Sequence, residues 1–159
     1  MRKLILALAA AGLMVVTVPT VLAAGGPRLA GKFKVVGTIH ANDFGIPDGT
    51  TTPDEFKFTA KCPAPRACAK IKLDRDGGNH SHYKSTLRKV KPGVYKGTEG
   101  PYPYSCIDNN AATFTAKHTI KVTKAKSGKA TAIGGSTKIT IANCDAASFV
   151  NYTLKGTID

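Results

Sequence analysis

The chain has no tryptophan, only two methionines, and ten acidic residues against twenty-three basic ones. No stretch beyond the first 24 residues holds a 3.6-residue apolar period for three turns, which excludes a helical bundle and a wound α/β sheet. Apolar residues run together only from Leu4 to Val18, which is too short and too close to a small-residue cleavage site for a spanning helix. Like charges never gather into a block, so a basic tail is absent. The G-x-S-x-G, EF-hand and zincin spacings are all missing, which removes the most recognisable hydrolase and metal signatures.

The N-terminus has a secretory pattern. Met1-Arg2-Lys3 is basic, Leu4 to Val18 is apolar, and Val21-Leu22-Ala23-Ala24 supplies small residues. Residues 1–24 therefore read as a signal peptide and 25–159 as one domain, secreted into extracellular or periplasm-like space. Losing Arg2 and Lys3 takes two from the formal charge of +13 and leaves +11. Four cysteines in an exported chain favour disulfides over zinc, since the spacing is not that of paired CxxC ligands. Cys62 and Cys68 bracket one short loop, which leaves Cys106 with Cys144. Chain entropy assigns ~2.4 kcal/mol to the short ring and ~3.9 kcal/mol to the long one.

Short alternating segments rich in Val, Ile, Thr, Phe and Tyr recur between Gly, Pro, Asn and Asp clusters. They predict about eight strands, near 31–40, 55–62, 68–74, 81–90, 93–98, 112–122, 130–143 and 149–158. The sixth alternates most cleanly, with Ala112, Phe114, Ala116, His118, Ile120 and Val122 on one face. In the seventh the phase changes between Ile133 and Ile139, and Gly134-Gly135 predicts a bulge. Tight turns at Lys91-Pro92-Gly93 and Lys126-Ser127-Gly128 give an antiparallel up-and-down order. The first and last strands share a Gly-Thr-Ile ending in phase. The fold class is all-β, an eight-stranded closed barrel with a two-sheet sandwich as the alternative.

The layout Phe56-Lys57-Phe58, Cys62-x5-Cys68-Ala69-Lys70-Ile71, Tyr95-Lys96-Gly97, Cys106, Cys144 and Tyr152-Thr153-Leu154-Lys155-Gly156-Thr157 resembles a set of secreted bacterial β-domains without assigned function. The resemblance spans nearly all of 25–159 and implies export and an all-β fold with paired cysteines. It implies no activity. In outline the chain is also similar to lipocalin-like barrels, whose Gly-x-Trp near the first strand it lacks.

An up-and-down order sorts the loops by parity. One end collects Lys61, Arg66, Lys70, Arg88, Lys89, Lys91, Lys124, Lys126 and Lys129, joined by Arg28 and Lys32. The other collects nine of the ten acids, Asp43, Asp48, Asp54, Glu55, Asp74, Asp76, Glu99, Asp108 and Asp145, with His40, His80, His82, Tyr102 and Tyr104. The basic pole suits an anionic cell-surface polymer or lipid. It also has a plainer use, keeping a small β-protein soluble. The acidic pole is a candidate ligand mouth, with Tyr102 and Tyr104 stiffened by Pro101 and Pro103 as a stacking surface or a lid. His80 and His82 with Asp74 and Asp76 permit a zinc or copper site, but exposed loop histidines are the simpler reading and no metal is assigned. His118 lies on an apolar face, either as a hydrogen-bonded core imidazole or as a polar anchor under a cavity. Aromatics lie away from the lysines, which argues against nucleic acid.

The leading expectation is a non-catalytic binding module without a cofactor, basic at one pole and with a Tyr-bearing mouth at the other. The alternative is a carrier of a small apolar ligand inside the barrel, lined by Phe33, Phe56, Phe58, Phe114, Tyr152 and Leu154 around His118. A hydrolase using loop carboxylates is third.

Overall fold

The computed structural model describes residues 25–76, 82–106, 111–144 and 148–159. Residues 1–24, where the signal-peptide expectation falls, and the residues His80, Asp108 and Asp145 lie outside the described residues. Eight antiparallel strands close into one barrel in sequence order: β1 (Gly31–Asn42), β2 (Thr51–Thr59), β3 (Lys70–Asp76), β4 (His82–Lys91), β5 (Val94–Ser105), β6 (Ala111–Lys126), β7 (Lys129–Ala142) and β8 (Ser148–Ile158). Closure comes from β1 on β8, with Phe33 opposite Ile158 and Thr38 opposite Thr153. This joins the two strands that share the Gly-Thr-Ile ending. The sandwich alternative is excluded.

Alternation fixes which side chains point inward. Phe33 and Val35 from β1, Phe56 and Phe58 from β2, Ile71 and Leu73 from β3, and Leu87 from β4 are buried. With Tyr95, Ile120 and Leu154 they fill the lower half of the barrel. Phe33, Phe58 and Phe56 meet edge to face at 5.6 and 6.1 Å, a geometry that adds about 0.5–1.5 kcal/mol per pair beyond burial. Leu29, fully buried, plugs this end from the N-terminal segment. That segment is held by Arg28, whose amide donates to the Gly128 carbonyl. The Arg28 guanidinium donates to the carbonyls of Ala60, Cys62 and Arg66. It thus stitches down the loop closed by Cys62–Cys68.

Three local features differ from the sequence expectation. The β7 ladder on β8 is unbroken through Gly134-Gly135, and the β6–β7 ladder is irregular nearer the closed end, where Thr123 of β6 and then Thr131 of β7 are passed over. Gly135 serves close packing instead: its φ is +148°, and a Cβ there would overlap the Thr119 carbonyl oxygen. β5 does not stop near 98 but runs to Ser105, bending at Gly100, whose φ is +86°. Its ladder with β4 ends at Glu99 opposite Ser85, so Pro101 and Pro103 lie where no β4 partner needs an N–H. The Tyr102 hydroxyl bridges this split, accepting from the Lys84 amide and donating to the Lys84 carbonyl, both at 2.9 Å. Cys62 and Cys68 lie in the β2–β3 loop rather than in strands.

The second disulfide, Cys106–Cys144, ties the β5–β6 and β7–β8 connections at the opposite end. It caps a small apolar cluster of Ala112, Phe114 and Ile141.

Candidate functional site in the barrel mouth

Between the filled lower half and the mouth cluster lies a belt of polar side chains. The alternation that buries Phe56 and Phe58 turns Asp54 inward, and the parity of Ile71 and Leu73 does the same for Arg75. Tyr95, Gly97 and Glu99 share the inner face of β5, and Ala116, His118 and Ile120 that of β6. Arg75 Nε and Nη2 both donate to Glu99 Oε1, at 3.1 and 2.7 Å, and Nη1 donates to Asp54 Oδ2 at 3.0 Å. Its guanidinium also stacks on the Tyr83 ring, 4.8 Å from the centroid. His118 Nδ1 is 2.8 Å from the Thr137 hydroxyl. His118 Nε2 lies 3.1 Å from Glu99 Oε2, a close polar contact that falls short of the geometry of a directed hydrogen bond.

Burial alone would push the Glu99 carboxyl up, yet His118 and Arg75 outweigh it and hold this group below the ordinary glutamate range. Asp54 goes the other way. Burial dominates, and despite the pull of Arg75 its carboxyl is pushed up to about 6. Asp54 Oδ1 is buried without a partner.

Above this belt the barrel is hollow. An inner compartment of about 180 Å³ is lined by Gly37, Thr52, Asp54, Arg75, Ile139 and Tyr152, among others. It shares Arg75, Ile139 and Tyr152 with an outer one of about 340 Å³. The outer walls are Tyr83, Tyr104, Phe114, Ile141 and Val150. Phe44 and Tyr104 form an exposed rim at 39% and 40%. The outer part alone reaches the lower end of ligand-pocket sizes, ~300–1,000 Å³. Glu99 and His118 line neither compartment and support the floor from beneath.

The residues singled out from the sequence fall into distinct places. Phe33 and Phe58 belong to the solid lower core, whereas Phe56 and Leu154, at the top of that core, line the inner compartment and Phe114 and Tyr152 also line the cup. Tyr102 is part of strand β5, not a lid, with its ring 5.4 Å from Phe114 and 5.2 Å from Tyr83. Tyr104 stands at the rim. Asp74, Asp76 and His82 are not at the mouth, because the parity that turns Arg75 inward turns Asp74 and Asp76 outward. Asp74 Oδ1 meets His82 Nδ1 at 3.1 Å on the outer wall, and these residues share a surface groove with Lys32, Glu55 and Lys57. Asp54 and Glu99, expected among the mouth loops, are inside the barrel. Arg75 was not singled out at all.

At the closed end Lys61, Arg66, Lys70, Arg88, Lys91, Lys124, Lys126 and Lys129 are exposed. None of them takes part in an ion pair among the described residues. Lys89 is half-buried and donates to the Gly25 carbonyl at 3.2 Å. On the outer wall Lys70 lies directly opposite Arg88, and Arg88 opposite Lys96, three like charges in register across three strands. Such juxtaposition is destabilising in the free protein.

Fold and site define a class: an antiparallel eight-stranded barrel with two disulfides, solid at one end and hollow at the other. No protein-family model matches the chain, and neither a curated protein nor a solved structure matches it. Among the described residues no helix is long and apolar enough to cross a membrane. The outer face of β6 carries Thr113, Thr115, Lys117, Thr119 and Lys121, unlike the apolar band of a lipid-facing barrel.

Proposed function

We propose that this is an exported, non-catalytic binding protein whose barrel mouth holds a small molecule with an apolar body and a polar end. The observation that carries this reading is the cup itself, with aromatic and aliphatic walls over a charged floor. Such a site binds by burying the body against the walls and fixing its orientation at a few polar atoms. Hydrolysis is less well served. A glycosidase needs two free carboxylates flanking a cleft, whereas Glu99 lies beneath the cavity and both acids are engaged by Arg75. Ile139 lines both compartments, so Ile139→Trp fills the cup while leaving every charged side chain of the floor in place. A cup ligand at ten times its dissociation constant stabilises by ~1.4 kcal/mol, an upward shift of about 3–6 °C. A thermal-shift screen of small apolar-bodied compounds will show this in the natural protein and not in Ile139→Trp. No shift with any compound, or equal shifts in both proteins, sinks the proposal.

A second reading, contact of the basic end with an anionic polymer or lipid, is favoured by the Lys70–Arg88–Lys96 row. Such charges are best explained if an anion neutralises them in use. Arg88→Glu converts two repulsive cross-strand pairs into attractive ones. It will raise stability by roughly 0.5–1 kcal/mol while lowering the salt needed to elute the protein from a sulfated-polymer column. Unchanged retention counts against this reading.

A further inference from the structure

We infer that the ligand of the cup is a small organic amine, its protonated nitrogen donating to Asp54 and its apolar body lying among the aromatic walls. This rests on the cup reading and adds the chemical class to it. Among the described residues five buried polar atoms make no directed hydrogen bond, on Asp54, Ser85, Tyr95, Glu99 and His118, the last two facing each other. Of these residues only Asp54 lines the cup, its side chain 16% exposed with Oδ1 itself closed to solvent. The unfilled requirement at the floor is therefore for a donor, and a buried acceptor left without one is costly.

Arg75 leaves little for a competing anion. Three of its five N–H donors, one each on Nε, Nη1 and Nη2, are already given to carboxylates, and two carboxylates share this one guanidinium. His118 sits on the far side of Glu99, outside the cavity lining. A ligand carboxylate would enter a floor where acids outnumber the arginine, while an ammonium restores the balance. The walls point the same way. Tyr83, Tyr104, Phe114 and Tyr152 present ring faces or edges around the cavity, and aromatic rings attract cations by their quadrupole. Arg75 over Tyr83 is already one such contact. An alcohol can donate to Asp54 as well, but a charge-assisted bond in a desolvated cup is the stronger.

Titration calorimetry on the full mature domain with three probes of one body tests this: 2-phenylethylamine, 2-phenylethanol and 3-phenylpropanoate. The amine is expected to bind about tenfold or more tightly than the alcohol, and the carboxylate weakest. Asp54→Asn should bring the amine down to the alcohol and leave the alcohol unchanged. A carboxylate or alcohol that binds as well as the amine, or an amine preference that survives Asp54→Asn, overturns the amine assignment and leaves the cup reading standing. If none of the three binds, and the wider screen gives no shift that Ile139→Trp abolishes, the cup reading fails and the amine assignment with it.

Discussion

Replacing Arg75 by methionine will cost the fold about 3–5 kcal/mol at neutral pH, the range for removing one partner from a buried ion pair. The methionine fills much of the same space, so the loss is electrostatic. Asp54 and Glu99 would then lie on the inner face of the barrel with their shared cation gone, and Glu99 is fully buried. Of the two carboxyls His118 meets only Glu99, at Oε2, so one histidine cannot replace the guanidinium. Against a typical stability of ~5–15 kcal/mol such a loss is severe. It should shrink at lower pH, because both carboxyls of the variant become easier to protonate than in the unfolded chain. Adding Glu99→Gln to the variant should recover part of the loss, a coupling expected within one network. Urea unfolding at pH 7 and pH 5 measures all of this. A loss below about 1 kcal/mol would show that the network behaves like an exposed surface pair.

The arginine that anchors this network escaped the sequence reading by a single residue. The second strand was read from 55, the third to 74 and the fifth to 98. Asp54, Arg75 and Glu99 each lie one position beyond those limits. In the second and third strands the inward parity is already set by neighbours, Phe56 and Phe58 and then Ile71 and Leu73; in the fifth the sequence leaves Val94 or Tyr95 inward, and the structure settles it with Tyr95, Gly97 and Glu99 on one face. Asp beside Pro53 and Glu beside Gly100-Pro101 are ordinary turn chemistry, so nothing local carries the strands on to Asp54 or Glu99. What overrode it was mutual neutralisation between three strands, a tertiary fact with no local signature. His118 was legible because Ala116 and Ile120 flank it in the middle of a long alternating run. Closure was legible too, since the first and last strands share one inward phase and the same Gly-Thr-Ile ending; their antiparallel pairing sets Gly37 opposite Leu154 and Gly156 opposite Val35. The surplus of acids on alternate loops was misleading in part: the mouth gained its character from strand residues facing inward, and Asp74, Asp76 and His82 went to the outer wall.

Asp54→Asn is expected to make the protein more stable at pH 8 and no different at or below about pH 4. A carboxyl whose folded pKa is raised binds its proton more tightly in the native state than in the unfolded one. The stability it contributes is thus fully present below the ordinary aspartate value of 3.8 and lost as pH rises through about 6. About two pKa units at ~1.4 kcal/mol each make the ionised group cost ~3 kcal/mol above pH 7. Asparagine mimics the protonated acid and can still accept from Arg75 Nη1, so the variant escapes that cost. Glu99, held low by His118 and Arg75, has the opposite sign: its contribution is present above the ordinary glutamate value of 4.5 and fades as pH falls through its folded value. Because Glu99 is common to both proteins, the difference between them isolates Asp54. Urea unfolding of the two proteins from pH 4 to 8 should show the gap opening between about 4 and 7. A variant less stable than the natural protein at pH 8 would mean that Arg75 outweighs burial and that Asp54 is an ordinary structural partner. With the expected sign, the chain keeps an ionised group that weakens its own fold in the lining of its cavity, and a cationic ligand offsets that cost when it binds.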